Sequence, residues 1–356
     1  MNTSTLNQIK PEQNNVFAGL NFLEVDEKSK IPKYMQIVDI ILSDIENGIF
    51  NIGEQIPSIN ETSCEFYMAR DTVEKAYKIL KEKGIITAVK GKGYFVSSTA
   101  DICNKRILLL LNHFESENKT IYNAFYENLP EGTEIDLYVY NGQPELLEKC
   151  IIKSLGAYDY FIILPVLDTH TKDLDNAIKK IPGNKLISIR HELSSAQHAI
   201  SALVQDDCKN IEEAMNSISE LVLPKYNRFH CIFPKGYEYS CIWSGFRKFG
   251  QKHGVPVFHK SEIKDIEVKK GDFFLIKEDH ELAALIKKCD EKQLEIGRDV
   301  GVVCYNDNSI KEILRGGITV FTPDYVQMGE TLATIVNDKR KGHHINNFNV
   351  IVRKSI

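Results

Sequence analysis

Apolar residues in the first hundred positions recur at helical spacing in three short stretches and then switch to strand-like alternation. Ile37, Val38, Ile41, Ile45 and Ile49 fall on one face of a helix over 34–49, with Gly48 near its end and Gly53 just beyond. Ser58 follows Pro57 and stands three residues before Glu61. In that spacing a hydroxyl and a carboxylate each satisfy a free backbone N–H at a helix start, so a second, short helix begins there. Val73, Ala76, Tyr77 and Leu80 then recur at i, i+3, i+4 and i+7, with Asp71 in the first turn and Gly84 at the end, which predicts a third helix with one buried stripe. Two β-rich runs, 85–89 and 94–97, flank Gly91, Lys92 and Gly93 and predict a hairpin with a small, cationic tip.

Beyond residue 105 short apolar runs alternate with helical segments. The predicted buried strands are 107–111, 135–140, 160–164, 186–189, 202–205, 229–233, 273–276, 300–305 and 350–353. This is an α/β pattern built on parallel sheets, which take ligands at the carboxyl ends of their strands.

Charge and composition narrow the possible functions. The 356 residues carry a formal net charge of −5, which excludes a surface coated in phosphate-binding charge. Positions 70–92 nevertheless hold Arg70, Lys75, Lys78, Lys81, Lys83, Lys90 and Lys92 against Asp71, Glu74 and Glu82; about half of the lysines between 75 and 83 read as a solvated helix face. The eight cysteines are spread singly, and no histidine belongs to a His-Glu-x-x-His or His/Cys cluster, so neither a metal site nor a disulfide framework is expected. The chain contains no Gly-x-Ser-x-Gly elbow, Walker loop or post-strand Gly-x-Gly-x-x-Gly, and neither catalysis nor a cofactor is expected. With no run of about 20 apolar residues and no secretory leader pattern, the expectation is a cytoplasmic protein without a membrane partner. Residues 1–26 read as a flexible tail, 27–98 as the first domain, 99–105 as a polar linker and 106–356 as the second domain.

Three helices followed by a hairpin, in that order, make a winged helix-turn-helix, in which the third helix enters a major groove and the hairpin touches backbone or minor groove. Pro57 and Ser58, then Arg70, Thr72, Val73 and Ala76, then Gly91, Lys92, Gly93, Phe95 and Val96 match position by position the motifs of the GntR family, and residues 27–98 resemble its DNA-binding domain. The resemblance implies contacts to double-stranded operator DNA at Ser58, Asn60, Arg70, Thr72, Lys90, Gly91, Lys92 and Gly93. Asn60 and Glu74 replace two arginines that contact DNA in the family, and Ala69 replaces a serine, so the operator differs from the family's usual one. Glu74 would repel a phosphate but can accept from a cytosine amino group.

A second resemblance covers the rest of the chain. The stretches IGRDVGVVCYNDN, GGITVFTPDYVQMGETLATIVNDKRKG and NVIVRKSI, with Trp243-Ser244-Gly245-Phe246 and Gln205-Asp206-Asp207 before them, are similar in order and spacing to LacI/GalR-type effector domains. This implies a two-lobed type I periplasmic-binding-protein fold with three crossings between lobes, closing on a small ligand and dimerising side by side. The strand ends then nominate Asn112, His113, Asp168, Arg190, Glu238, Glu278 and Asn306 as effector-binding residues, with Phe114 or Trp243 to stack on a sugar's apolar face. Asp168 and Asn306 fall where sugar-responsive relatives contact hydroxyls, whereas Ile242 and Glu278 replace a sugar-gripping arginine and an asparagine.

Together the two halves resemble AraR-type sugar-responsive repressors. The expectation is a homodimeric transcriptional repressor of carbohydrate-utilisation genes, released from its operator by a sugar such as a pentose or deoxyhexose. Two other classes fit the sequence less well. A solute-binding protein would need a secretory leader. A GntR-headed, aminotransferase-like enzyme using pyridoxal phosphate would need a longer second domain and a recognisable Schiff-base lysine.

Overall fold

Burial of the stripe Ile37, Val38, Ile41 and Ile45 sets the face of the first helix, α1 (Lys33–Glu46), in a computed structural model that describes residues 31–46, 48–97, 105–164, 172–190, 199–234 and 241–356. The expected tail, and the linker up to residue 104, lie outside the described residues. Contacts divide the chain into two compact units, one reaching to Lys105 and taking in 154–158, the other formed by 106–153 and 159–356.

In the first unit α1 stops three residues before the predicted end. Gly48 takes a left-handed φ of +73°, and the Ile49 N–H turns back to the Asp44 carbonyl at 2.8 Å. Then follow β1 (Gln55–Ile56), α2 (Ile59–Glu65), α3 (Arg70–Glu82), β2 (Ile86–Val89) and β3 (Gly93–Val96), the strands forming one antiparallel sheet in the order β1-β3-β2. The two-residue strand β1 has no apolar alternation to reveal it in the sequence. Val73, Ala76, Tyr77 and Leu80 of α3 close on the α1 stripe, with Ile56, Ile85, Ile86 and Val96 sealing the base.

The second unit holds two six-stranded sheets. The first lobe contains β4 (Arg106–Leu111), α4 (Ser116–Glu127), β5 (Glu134–Val139), α5 (Pro144–Ser154), β6 (Tyr160–Leu164), α6 (Lys172–Ile178), β7 (Leu186–Arg190) and β8 (Ser201–Val204). The chain then crosses to α7 (Asp207–Ser217), α8 (Ser219–Val222), β9 (Arg228–Ile232), α9 (Cys241–His253), β10 (Val257–Lys260), β11 (Asp272–Ile276), α10 (Asp279–Glu291), β12 (Gly301–Tyr305), α11 (Ser309–Ile313) and β13 (Thr319–Pro323). It returns to the first lobe for α12 (Tyr325–Asp338) and β14 (Gly342–Ile345), and ends in the second with β15 (Phe348–Ile351). The strand orders are β14-β8-β7-β6-β4-β5, all parallel, and β10-β9-β11-β12-β13-β15, parallel except for β15 on β13.

The predicted strands all form, and three of this unit's were missed. β10 is a half-exposed edge strand, β14 is a largely exposed one, and β13 is buried between β12 and β15. The last strand begins two residues earlier than expected because Phe348 already pairs with Pro323. One core is made by the sheet of the first lobe with Ile121 and Phe125 of α4 and Met328, Leu332 and Val336 of α12; another is made by Ile211 and Met215 of α7 and Phe246 and Phe249 of α9 on the second sheet.

The three crossings run side by side and are hydrogen-bonded to one another. Asn346 Nδ2 donates to Gln205 Oε1 at 2.9 Å, the Asp324 N–H to the Asn347 carbonyl at 3.0 Å, and the Asn347 N–H to Gln327 Oε1 at 3.0 Å. Asp206 and Asp324 also cap α7 and α12, accepting from the Lys209 and Gln327 N–H groups.

Candidate functional site

In the helix-turn-helix unit the Ser58–Glu61 spacing folds as a complete capping box. The Ser58 N–H donates to Glu61 Oε2 at 2.6 Å, and Ser58 Oγ accepts from the Glu61 N–H at 3.3 Å. The Ser58 backbone N–H first, and then the Ser58 side chain, hold the Glu61 carboxyl below its ordinary pKa of 4.5. Behind them the buried Tyr77 hydroxyl donates to the Pro57 carbonyl at 2.5 Å and so can only accept from Thr62 Oγ1 at 2.8 Å. One tyrosine thereby fixes the start of α2 to the middle of α3, and its burial pushes its phenol pKa up. Tyr94 of β3 packs edge-on to the same ring, centroids 4.8 Å apart, linking the wing to α3.

With the stripe Val73, Ala76, Tyr77 and Leu80 buried, α3 leaves Arg70, Glu74 and Lys78 exposed at i, i+4 spacing on one outward face, and Thr72 half-buried beside them. Lys75 is turned away, its Nζ lying 3.9 Å from the Tyr34 ring centroid. Asn60 is exposed in the first turn of α2, and Ser58 is half-exposed. At the wing, the Lys92 N–H closes a turn onto the Val89 carbonyl at 2.9 Å, and Gly91 takes φ +77°, leaving Lys90 and Lys92 exposed at the tip. Gln55 Nε2 donates to the Lys92 carbonyl at 3.0 Å, and a Cβ on Gly93, at φ +110°, would lie 2.8 Å from that nitrogen. Gln55 therefore braces the wing, a role without a sequence signature.

The turn between α2 and α3 holds a second residue that the sequence did not single out. Tyr67 has φ +48° and is 95% exposed. A left-handed conformation costs a residue with a side chain roughly 1–2 kcal/mol.

In the two-lobed unit the effector residues expected at strand ends separate into groups. Asp168 and Glu238 lie outside the described residues, and Arg190 ends β7 with its side chain outside them. Asn112 is buried, and its Oδ1 accepts from the Gly142 N–H, which ties it to the loop after β5. His113 is exposed next to it. Glu278 is half-buried just before α10, with Lys277 Nζ 3.7 Å away.

Asn306 has the richest surroundings. It takes φ +67° just after β12; its Nδ2 donates to Glu117 of α4, and its Oδ1 accepts from the Tyr325 hydroxyl at 2.6 Å. A carboxylate of the first lobe is thus bonded to a strand end of the second. The buried Lys311 Nζ holds the same strand end, donating to the Asn306 carbonyl at 3.0 Å and pairing with Asp279 Oδ1 at 2.9 Å. Asp307 is held apart by a bidentate pair with Arg353, at 2.8 and 2.7 Å. Glu117, Tyr325 and Lys311 were not foreseen, because only the fold brings them to Asn306.

A separate groove of about 640 Å³ beside the crossings is lined by residues including Val204, Asn210, Ala214, His343, Asn346 and Phe348, and by none of the expected effector residues. Among the described residues no group of His, Cys, Asp or Glu could hold a metal ion, and no helix is long and apolar enough to cross a membrane. Buried Cys231, Cys289 and Cys304 sit as core residues, and burial pushes the Cys289 thiol up to about 11 and the Cys304 thiol up to about 12.

Comparison with known proteins accords with this geometry. Residues 33–96 match the gntR family of bacterial regulatory proteins, and residues 220–356 match a periplasmic binding protein-like domain. The HTH-type transcriptional repressor YtrA of Bacillus subtilis is 33% identical over 78 residues, which are 22% of this chain and 60% of that protein. The arabinose metabolism transcriptional repressor of Geobacillus stearothermophilus is 35% identical over 71 residues, 20% of each chain. The chain thus spans less than two thirds of these relatives. A dimeric Lac repressor with an 11-residue C-terminal deletion superposes with TM-score 0.58 at 13% identity, covering 70% of this chain and 98% of that one, a likeness of fold. The chain therefore joins a winged helix-turn-helix domain of the GntR family to a periplasmic-binding-protein-like domain with the fold of LacI-type regulators.

Proposed function

We propose that this protein is a transcriptional repressor of carbohydrate-utilisation genes that binds a palindromic operator as a homodimer and is released by a small sugar. The observation that carries the reading is the rigid helix-turn-helix unit. Its capping box and Tyr77 bonds fix α2 against α3, while Arg70, Lys90 and Lys92 stay exposed for DNA. Arg70 and Thr72 would read base edges, Glu74 would select a cytosine amino group, and Ser58, Asn60 and the wing from Lys90 to Gly93 would hold the backbone. The arabinose-metabolism relative supports a sugar effector, and the dimeric Lac repressor supports side-by-side dimers.

In the second unit the effector would enter between the strand ends of the two lobes. Its hydroxyls would meet His113, Glu278 and Asn306, together with Asp168, Arg190 and Glu238, while Asn112 supports the loop behind them. A ligand that takes the Asn306 amide must displace Glu117, so binding would rearrange a contact between lobes and shift the population of DNA-competent dimers.

The test has two arms. Fluorescence anisotropy should show tighter binding to a duplex from the region upstream of the protein's own gene than to random duplex, with affinity falling as salt rises, by about 0.9 in log–log slope per phosphate contact. A thermal-shift series with pentoses, deoxyhexoses and hexoses should find one that stabilises the protein by about 2.7 kcal/mol at a hundredfold excess over Kd and lowers operator affinity. Equal affinity for upstream and random DNA would sink the repressor reading. A flat response to every sugar would move the effector to another class of metabolite.

A further inference from the structure

We propose that Tyr67 is an additional DNA contact, its hydroxyl donating to a phosphate oxygen at the edge of the groove that α3 enters. The inference rests on the DNA-binding reading above and adds a residue to it. Tyr67 occupies the turn between the two helices of the motif, three positions before Arg70. Its φ of +48° is a conformation that favours glycine, yet it carries a large aromatic side chain that is 95% exposed. The ring gains almost no burial in its own fold to offset the backbone strain. A strained, exposed aromatic beside a recognition helix is suited to a partner outside the chain.

Hydrogen bonds also hold the backbone of the turn, which fixes where the side chain leaves it. Ser63 Oγ donates to the Met68 carbonyl at 2.6 Å, the Met68 N–H returns to the Ser63 carbonyl at 3.0 Å, and the Tyr67 N–H reaches the Cys64 carbonyl at 3.4 Å. Little backbone freedom is therefore lost when the phenol meets its partner. The N-cap residue of α3, Ala69, makes no side-chain cap hydrogen bond, so no cap oxygen competes with a phosphate for the N–H groups at that helix start, where the first-turn carboxylate is that of Asp71. A hydroxyl-to-phosphate hydrogen bond releases no counterion, so its contribution is distinguishable from that of the wing lysines.

The experiment uses the full chain with Tyr67→Gly and Tyr67→Phe, and Lys92→Ala as a charged comparison. Unfolding temperature and affinity are measured on the upstream and random duplexes across a salt series. Tyr67→Gly should unfold at or above the wild-type temperature yet bind both duplexes about ten-fold more weakly, with the salt slope unchanged. Tyr67→Phe should lose as much affinity, because the hydroxyl makes the bond. Lys92→Ala should lower the slope by about one. Wild-type affinity in either Tyr67 variant overturns the contact while leaving the repressor reading intact. A wild-type protein that shows no salt-dependent DNA binding removes that reading, and this inference with it.

Discussion

At the residue scale, Ser58 and Glu61 show how far three-residue spacing reaches. The sequence predicted both bonds of the capping box, and both form. Removing the cap with Ser58→Ala should cost about 1 kcal/mol, read as a lower unfolding midpoint in urea. The box also carries a pH dependence. Glu61 has a depressed pKa, so its contribution is fully present above its ordinary value of 4.5 and is lost as pH falls through the lower folded value. The stability gap between wild type and Glu61→Ala should therefore be widest at neutral pH and close below about pH 4.5, and a gap constant from pH 7 to pH 3 would contradict the bond. Other residues could not be read from sequence. Tyr67 sits where a glycine would have announced the left-handed turn, and Gln55 acts on the wing only because β1 and β3 pair. Asn306 could be located at a strand end, but its partners Glu117 and Tyr325 stand 189 and 19 residues away.

At the scale of elements, apolar runs located the central strands because parallel sheets bury both faces, and runs such as 107–111 and 273–276 are apolar throughout. The edges were harder. β10 and β14 contain histidines and alternate weakly, and their strand character comes from neighbours, β9 for one and β8 for the other. Helix pairing depends on two glycines. A Cβ on Gly245 of α9 would strike the Cys208 carbonyl oxygen at the start of α7, so the Gly-Phe motif serves close packing within the second lobe. Gly329 does the same for α12 on α4, where a Cβ would lie 2.5 Å from the Ile121 carbonyl oxygen and 2.7 Å from the Ala124 Cβ. Gly329→Ala should destabilise by about 1–3 kcal/mol and lower the melting temperature by several degrees, whereas Glu330→Ala on the exposed side should leave it nearly unchanged.

At the scale of the two-lobed unit, the bond between Asn306 and Glu117 would, under the effector site proposed above, set Glu117 in competition with a ligand for the Asn306 amide. Glu117→Ala should free the Asn306 amide and tighten binding of whichever sugar the thermal-shift series identifies, by about ten-fold, or ~1.4 kcal/mol. Asn306→Ala should abolish the response. Unchanged sugar affinity in Glu117→Ala would mean that Asn306 is no part of the effector site. The fold class and its three crossings were legible because the resemblance spans the whole stretch. The state of closure was not, since it depends on contacts between segments far apart in sequence.

The route of the chain through the two lobes also sets an order of events during synthesis. All core residues of the helix-turn-helix unit lie between Tyr34 and Val96, so that unit can fold while the rest is still being made. The first lobe cannot finish, because α12 supplies part of its core and β14 its edge strand, and β14 ends at Ile345. Residues 98–345 are 248 further residues. At about 5–20 residues per second this is a delay of roughly 12–50 s. For that interval each ribosome carries a formed helix-turn-helix unit while the two-lobed unit is still incomplete. A nonsense mutation in α12 would make the condition permanent, leaving a fragment that keeps its N-terminal unit without a complete first lobe and, on the repressor reading proposed above, would bind DNA without responding to a sugar.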